Sequence, residues 1–133
     1  MLFRSEETDG LVTRDVSSVT RARELAAAIN ERHPNGVFLL DAFSTSSAIV
    51  CLDHPERLMM NLDERFELAL ENPRAYGVSY VVAVKAQGAG GAEAIGGLDA
   101  INMRYPDLYA HGADWCELAE EVGDMFRIYR VVK

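Results

Sequence analysis

The sequence predicts an α/β fold of Rossmann-like layout, a three-layer sandwich in which helices cover a mainly parallel sheet of about four strands. Two observations lead to this prediction. Short continuous apolar runs alternate along the chain with segments of helical periodicity, an order typical of parallel strands joined by right-handed crossovers. The last apolar segment instead alternates apolar and charged residues, which predicts an edge strand at the C-terminus.

The first helix is predicted to begin near Asp15 and to end before the Pro-Asn-Gly sequence at residues 34–36. Apolar side chains recur between these points at helical spacing, so they should share one buried face. These residues are Val19, Ala22, Leu25, Ala26 and Ile29. The run that follows, VFLLD at 37–41, is predicted to be a strand buried on both faces.

The rest of the chain is assigned by the same two periodicities. The run at 77–85 is the strongest strand candidate because β-branched and aromatic residues dominate it. Weaker strands are expected at 57–61 and 125–132, and helices at 63–73, 97–105 and 114–122. The last of these helices, DWCELAEEV, would have Asp114 as its N-cap.

Length and charge limit the class of protein. The 133 residues predict a single α/β domain over residues 15–133, preceded by a flexible segment at 1–14. The net charge of −8 argues against a nucleic-acid partner, because phosphate binding requires a basic face. An anionic membrane surface is disfavoured for the same reason.

The sequence contains no apolar run long enough to cross a membrane and no signal peptide, so we expect either a cytoplasmic protein or a piece of a longer one. Cys51 and Cys116 have no metal-ligand spacing, and two small buried apolar side chains are a better prediction than a disulfide. The disulfide remains an alternative if the domain lies outside the cytoplasm.

The glycine-rich stretch at 86–98 raises the question of a phosphate-binding loop. A dinucleotide fingerprint that starts at Gly88 fails because Glu93 occupies its last small position. A P-loop that starts at Gly91 fails because Gly97 stands where the lysine belongs. We therefore expect a flexible connection and no cofactor.

One polar cluster is a candidate ligand-facing site. It consists of Asp41, Ser44, Thr45 and Ser46. The cluster follows the carboxyl end of a predicted strand, where open α/β sheets bind ligands. An alternative is that these side chains only cap the next turn. No catalytic residue and no metal ligand is assigned.

Several phrases occur in an order that carries a family resemblance. They are the strand that ends at Asp41, the D-x-x-F pattern at 63–66, the strand at 73–84, the phrase L-D-A-I-N-x-x-Y-P-x-L at 98–108, and the G-x-x-W and G-D-x-x-R-I-Y-R-V patterns at 112–131. Together they resemble the soluble C-terminal domain of bacterial polytopic membrane glycosyltransferases of the GT-C type. Those enzymes are similar to protein mannosyltransferases that use polyprenyl-phosphate sugars.

The resemblance implies a non-catalytic accessory domain on the extracytoplasmic side of the bacterial plasma membrane. Its partners would be the rest of the parent membrane protein and a glycan or protein acceptor, and its oligomeric state stays open. Two other readings remain at this point. One is a small stand-alone nucleotide- or ligand-binding protein that uses the edge at 41–47, and the other is an interaction module that dimerises through its terminal strand.

Overall fold

A computed structural model of the chain describes residues 20–42, 45–85 and 99–133. The predicted segment at 1–14 and the glycine-rich stretch at 86–98 lie outside the described residues.

Five strands form one sheet in the order β2-β1-β3-β5-β4. Their bounds are β1, Val37–Leu39; β2, Leu58–Met59; β3, Val78–Val84; β4, Cys116–Val122; and β5, Phe126–Val131. Strand β1 runs parallel to both β2 and β3, whereas β5 is antiparallel to β3 and to β4.

Helices cover both faces of this sheet. Helix α1 occupies residues 20–32 and closes with a wider π turn at Ala28–Arg32, and the later helices are α2, Ser46–Ile49; α3, Phe66–Glu71; α4, Ala100–Arg104; and α5, Leu108–His111. Short 3-10 turns at Pro55–Arg57 and Arg74–Tyr76 precede β2 and β3.

Alternation along the central strands divides the core into two clusters. In β3, Val82 and Val84 face α1 and α2, whereas Val81 and Ala83 face α3, α4 and α5. Adjacent residues of a strand point to opposite faces, so residues 81–84 of β3, which are covered on both sides, are all apolar. Helices therefore pack against both faces of the sheet, which makes the fold a mixed α/β one.

The path of the chain reverses at β1. The connection from β1 through α2 leads to β2 on one side, and the connection from β2 through α3 leads past β1 to β3 on its other side. Such a reversal opens a crevice outside the carboxyl ends of the two strands, in this case β1 and β3.

The predicted sheet is wrong in strand number and in its edge. It has five strands rather than about four, and two of its four pairings are antiparallel. The terminal strand β5 lies between β3 and β4, so it offers no free edge for dimerisation. The charged residues in β5 are explained by cross-strand pairing, since Arg130 bonds Glu117 and Arg127 bonds Glu121.

The helix predicted at 114–122 is in fact strand β4. Its three glutamates favour a helix, but Cys116 and Val122 are buried against the two core clusters at opposite ends of a strand. Gly123 has φ +59°, in the left-handed region that glycine tolerates best, and it starts the tight turn into β5. The tertiary contacts of the hairpin override the local helix propensity.

Arg57 fastens the end of α1 to the sheet. Its guanidinium donates to the carbonyl oxygens of Gly36 at 3.0 Å, Ile29 at 3.3 Å and His33 at 2.5 Å. Carbonyls at the end of a helix lack partners within the helix, so one fork-shaped donor group can serve several of them. The same guanidinium lies 5.2 Å from the centre of the Phe38 ring in β1.

We predict that Leu39→Ala lowers the free energy of unfolding by about 2–5 kcal/mol, because Leu39 is fully buried in β1 and its loss leaves a cavity. Urea denaturation followed by the fluorescence of Trp115, the only tryptophan, measures this. The matched control is Leu62→Ala, a residue that is 95% exposed and should cost no more than about 0.5 kcal/mol. Equal losses in the two variants would contradict the assigned core.

Candidate functional site

Asp41 lies two residues beyond the last residue of β1, at the end of the sheet where the path of the chain reverses. Only 2% of its surface is exposed. Burial of a carboxylate is costly unless hydrogen bonds replace its hydration, so the partners of Asp41 decide what it does.

The partners of Asp41 come from the ends of two other elements. Its Oδ2 accepts from Nδ2 of Asn61, just after β2, at 3.0 Å and from the backbone N–H of Ala100, the first residue of α4, at 2.8 Å. Oδ1 of Asn61 in turn accepts from the backbone N–H of Ala42 at 2.7 Å. The carboxylate thus joins β1, β2 and α4 at one point.

The remaining residues of the predicted site are only partly placed. Thr45 is buried at the N-cap position of α2, and its Oγ1 donates to the carbonyl oxygen of Asp41 at 2.6 Å rather than capping the helix. Ser44 lies outside the described residues, and Ser46 begins α2 with its side chain outside them. The structure therefore brings Asp41 and Thr45 together.

Asp99 and Asn102 extend this junction, although neither was predicted as a site residue. Oδ1 of Asp99 accepts from the backbone N–H groups of Ile101 at 2.8 Å and Asn102 at 3.1 Å, which makes Asp99 the N-cap of α4. Nδ2 of Asn102 donates to the carbonyl oxygen of Val84 at 2.8 Å. The capping position of Asp99 before a short apolar helix was the available sequence signal.

A cleft of about 640 Å³ opens beside this junction, at the carboxyl end of β3. Its walls include Lys85 after β3, Asn102 of α4, Tyr109 of α5 and Arg127 of β5. The cleft contains two cationic side chains, Lys85 and Arg127, whereas the chain as a whole has a net charge of −8. Sequence reasoning missed the cleft because Asn102, Tyr109 and Arg127 follow Lys85 by 17, 24 and 42 residues along the chain.

Arg127 is held in the cleft wall by several contacts. Its Nη1 donates to the carbonyl oxygen of Tyr109 at 2.5 Å, and its Nη2 lies 3.0 Å from Oε2 of Glu121. The guanidinium carbon is 4.5 Å from the centre of the Tyr109 ring. Burial raises the pKa of the Tyr109 phenol, so the ring stays neutral over the physiological range.

A second titratable cluster joins α1 to the edge strand β4. Glu120 accepts from Nε of Arg32 at 2.7 Å, and its Oε1 lies 3.0 Å from Nε2 of His33. The hydrogen bonds from Arg32 and then from His33 hold the pKa of the Glu120 carboxyl below its usual range. The cluster fixes one helix on the sheet, and its groups satisfy one another.

The two cysteines lie in different environments, and neither forms a disulfide. Cys116 is buried as predicted, whereas Cys51 is exposed, so the prediction of two buried thiols is wrong for Cys51. Cys51 follows the short helix α2, whose buried face is supplied by Ala48. Burial raises the pKa of the Cys116 thiol, which therefore stays protonated and poorly nucleophilic.

Residues 20–42, 45–85 and 99–133 contain no cluster of three side chains able to hold a metal ion. Within those same ranges, no helix is both long and apolar enough to cross a bilayer.

Comparison with protein-family models, curated proteins and solved structures identified no match to this chain. The glycosyltransferase resemblance therefore stays a prediction from the sequence.

We predict that Asp41→Ala lowers the free energy of unfolding by about 3 kcal/mol, because the partly buried N–H of Ala100 loses a charged acceptor. Asp107→Ala is the control, since Asp107 is exposed and its side chain forms no cap bond in α5. Combining Asp41→Ala with Asn61→Ala should cost less than the sum of the two, because both remove the same hydrogen bond. Strict additivity in urea denaturation would argue against a shared junction.

We predict that the ion pair of Glu120 supports the fold above pH 5 and not in acid. A carboxyl with a lowered pKa stabilises the folded state above its usual pKa, and this contribution is lost as the pH falls from about 5 to about 3. Glu120→Gln should therefore cost about 0.5–1 kcal/mol at pH 7, because the half-exposed Arg32 is partly screened, and nothing near pH 3.

The control for this pH series is Glu67→Gln, since Glu67 is an exposed glutamate on α3 for which the described residues provide no ion pair. Parallel stability curves for wild type and Glu120→Gln over the whole pH range would contradict the assignment.

Proposed function

We propose that this chain is an extracytoplasmic accessory domain of a bacterial membrane glycosyltransferase and is not catalytic by itself. It helps to dock the acceptor or to shape the mouth of the membrane active site. Its partners are then the membrane-embedded part of the parent protein and a glycan or protein acceptor.

One observation carries the proposal. Residues within the phrases that resemble the glycosyltransferase domain also hold the elements of this fold together. Asp41 joins three elements, Asp99 caps α4, and Oη of Tyr105 donates to the carbonyl oxygen of Leu70 at 2.5 Å. Residues that bond internal groups in this way serve a scaffold better than they serve bond cleavage.

The acidic character of the chain supports the same proposal. A net charge of −8 works against close adsorption of the domain to an anionic leaflet. A domain that receives acceptors beside a membrane enzyme needs an exposed surface that remains accessible from solution.

We predict that the isolated chain transfers no sugar from a polyprenyl-phosphate sugar to an acceptor, and that removal of residues 20–133 from the parent protein raises KM for the acceptor several-fold. Radiolabelled sugar transfer in membrane preparations measures both quantities. An unchanged donor KM would show that the deleted enzyme still forms its membrane site. The matched control is the parent protein with Leu62→Ala, which changes an exposed side chain in this domain.

Three results would contradict the proposal. The first is sugar transfer by the isolated chain. The second is unchanged acceptor kinetics after the deletion. The third is a coding sequence that places no apolar segments of about 20 residues in the same polypeptide as this domain.

A further inference from the structure

Lys85 is one of only two lysines in the chain, and it lines the cleft at the end of β3. The residue is half-buried, and the described residues provide no carboxylate within ion-pair distance of it. Among the described residues, the Lys85 ammonium is therefore left to pair with an anion that enters the cleft.

The other cation of the cleft has a different role. The charge of Arg127 is compensated by Glu121, and its guanidinium is fixed against the Tyr109 ring and the Tyr109 carbonyl. Arg127 therefore shapes the wall and orients Tyr109, whereas Lys85 has no ion pair within the part of the chain that the structure describes.

The remaining surface of the cleft is mainly apolar. Val84, Pro106 and Ala110 lie along it with the Tyr109 side chain. Its volume of about 640 Å³ falls within the range of roughly 300–1,000 Å³ that is typical of small-molecule sites. Such a cleft fits an organic body attached to an anionic group better than it fits a bare ion.

We propose that this cleft binds a small organic anion, whose carboxylate or phosphate group pairs with Lys85 while its flat apolar body packs against Tyr109 and Pro106. This binding site does not depend on whether the chain belongs to a membrane enzyme. The Asp41 junction lies beside it and contributes through Asn102, which bonds the carbonyl oxygen of Val84 and lines the cleft.

A smaller cleft of about 410 Å³ at the opposite end of β3 is a weaker candidate. Its arginines are Arg74, which donates to the carbonyl oxygen of Val132, and Arg130, which pairs with Glu117. Arg74 is exposed to solvent, so its guanidinium keeps most of its hydration. This cleft provides an internal comparison for the test.

The test uses the chain itself with four probes, namely phenyl phosphate, benzoate, inorganic phosphate and phenol. Titrations followed by two-dimensional amide NMR report both affinity and location. Phenyl phosphate and benzoate are expected to shift the amide signals of Lys85, Asn102 and Ala110 in a saturable manner. Inorganic phosphate and phenol should bind at least about tenfold more weakly, since each lacks one half of the proposed ligand.

Variants that remove one positive charge distinguish a specific binding site from general electrostatic attraction of anions to the chain. Lys85→Met should raise the Kd of phenyl phosphate by about tenfold or more, whereas Lys85→Arg should retain most of the binding. Lys133→Met removes the other lysine, which does not line the cleft, and changes the net charge by the same amount. If Lys85→Met does not fold, Lys85→Gln replaces it, and urea denaturation confirms that each variant is folded.

Four outcomes would overturn the proposal. They are no saturable shift with any organic anion, equal weakening by Lys85→Met and Lys133→Met, phenol binding as tightly as phenyl phosphate, and shifts confined to the cleft beside Arg74. Selective loss of binding in Lys85→Met, with shifts around β3, α4 and α5, would support it.

Discussion

The buried carboxylate of Asp41 is the constraint on which the arrangement at the carboxyl ends of β1 and β2 and at the start of α4 depends. A buried carboxylate requires several donors, and those of Asp41 come from Asn61 after β2 and from the backbone of Ala100 at the start of α4. The donors are available only when both segments are in their native positions. One side chain therefore makes the conformations of three chain segments depend on one another, which is how buried polar networks specify a unique arrangement.

The position of Asp41 could be predicted from the sequence, but its partners could not. A carboxylate after a continuous apolar run marks the end of a buried strand, and the contrast is local. The donors lie 20 and 59 residues further along the chain, where nothing in the composition of either segment points back to residue 41. The capping role of Asp99 could be predicted from the sequence, because an N-cap and the N–H groups that it binds are two or three residues apart.

The same distinction explains why the sequence predicts strand β3 correctly and mistakes strand β4 for a helix. The sequence of β3 is apolar at most positions because helices cover both of its faces, so its environment is recorded in its own residues. Strand β4 lies at the edge, exposes most of its side chains, and takes its conformation from pairing with β5. The glutamates and the alanine of such a strand favour a helix when the partner strand is unknown. The sequence feature that indicates a hairpin here is the glycine of the turn between β4 and β5.

Helix α4 connects the junction to the cleft. Five residues are too few for a stable isolated helix, so α4 depends on the Asp99 cap and on the bond from Ala100 to Asp41. Asn102 of this helix also bonds the last carbonyl of β3, one residue before Lys85. The helix that supplies Asn102 to the cleft wall is thus also the helix whose first N–H bonds Asp41. The buried acid and Lys85 are consequently linked through α4, since the acid positions this helix, and Lys85, which has no ion pair within residues 20–42, 45–85 and 99–133, lines the same cleft as Asn102.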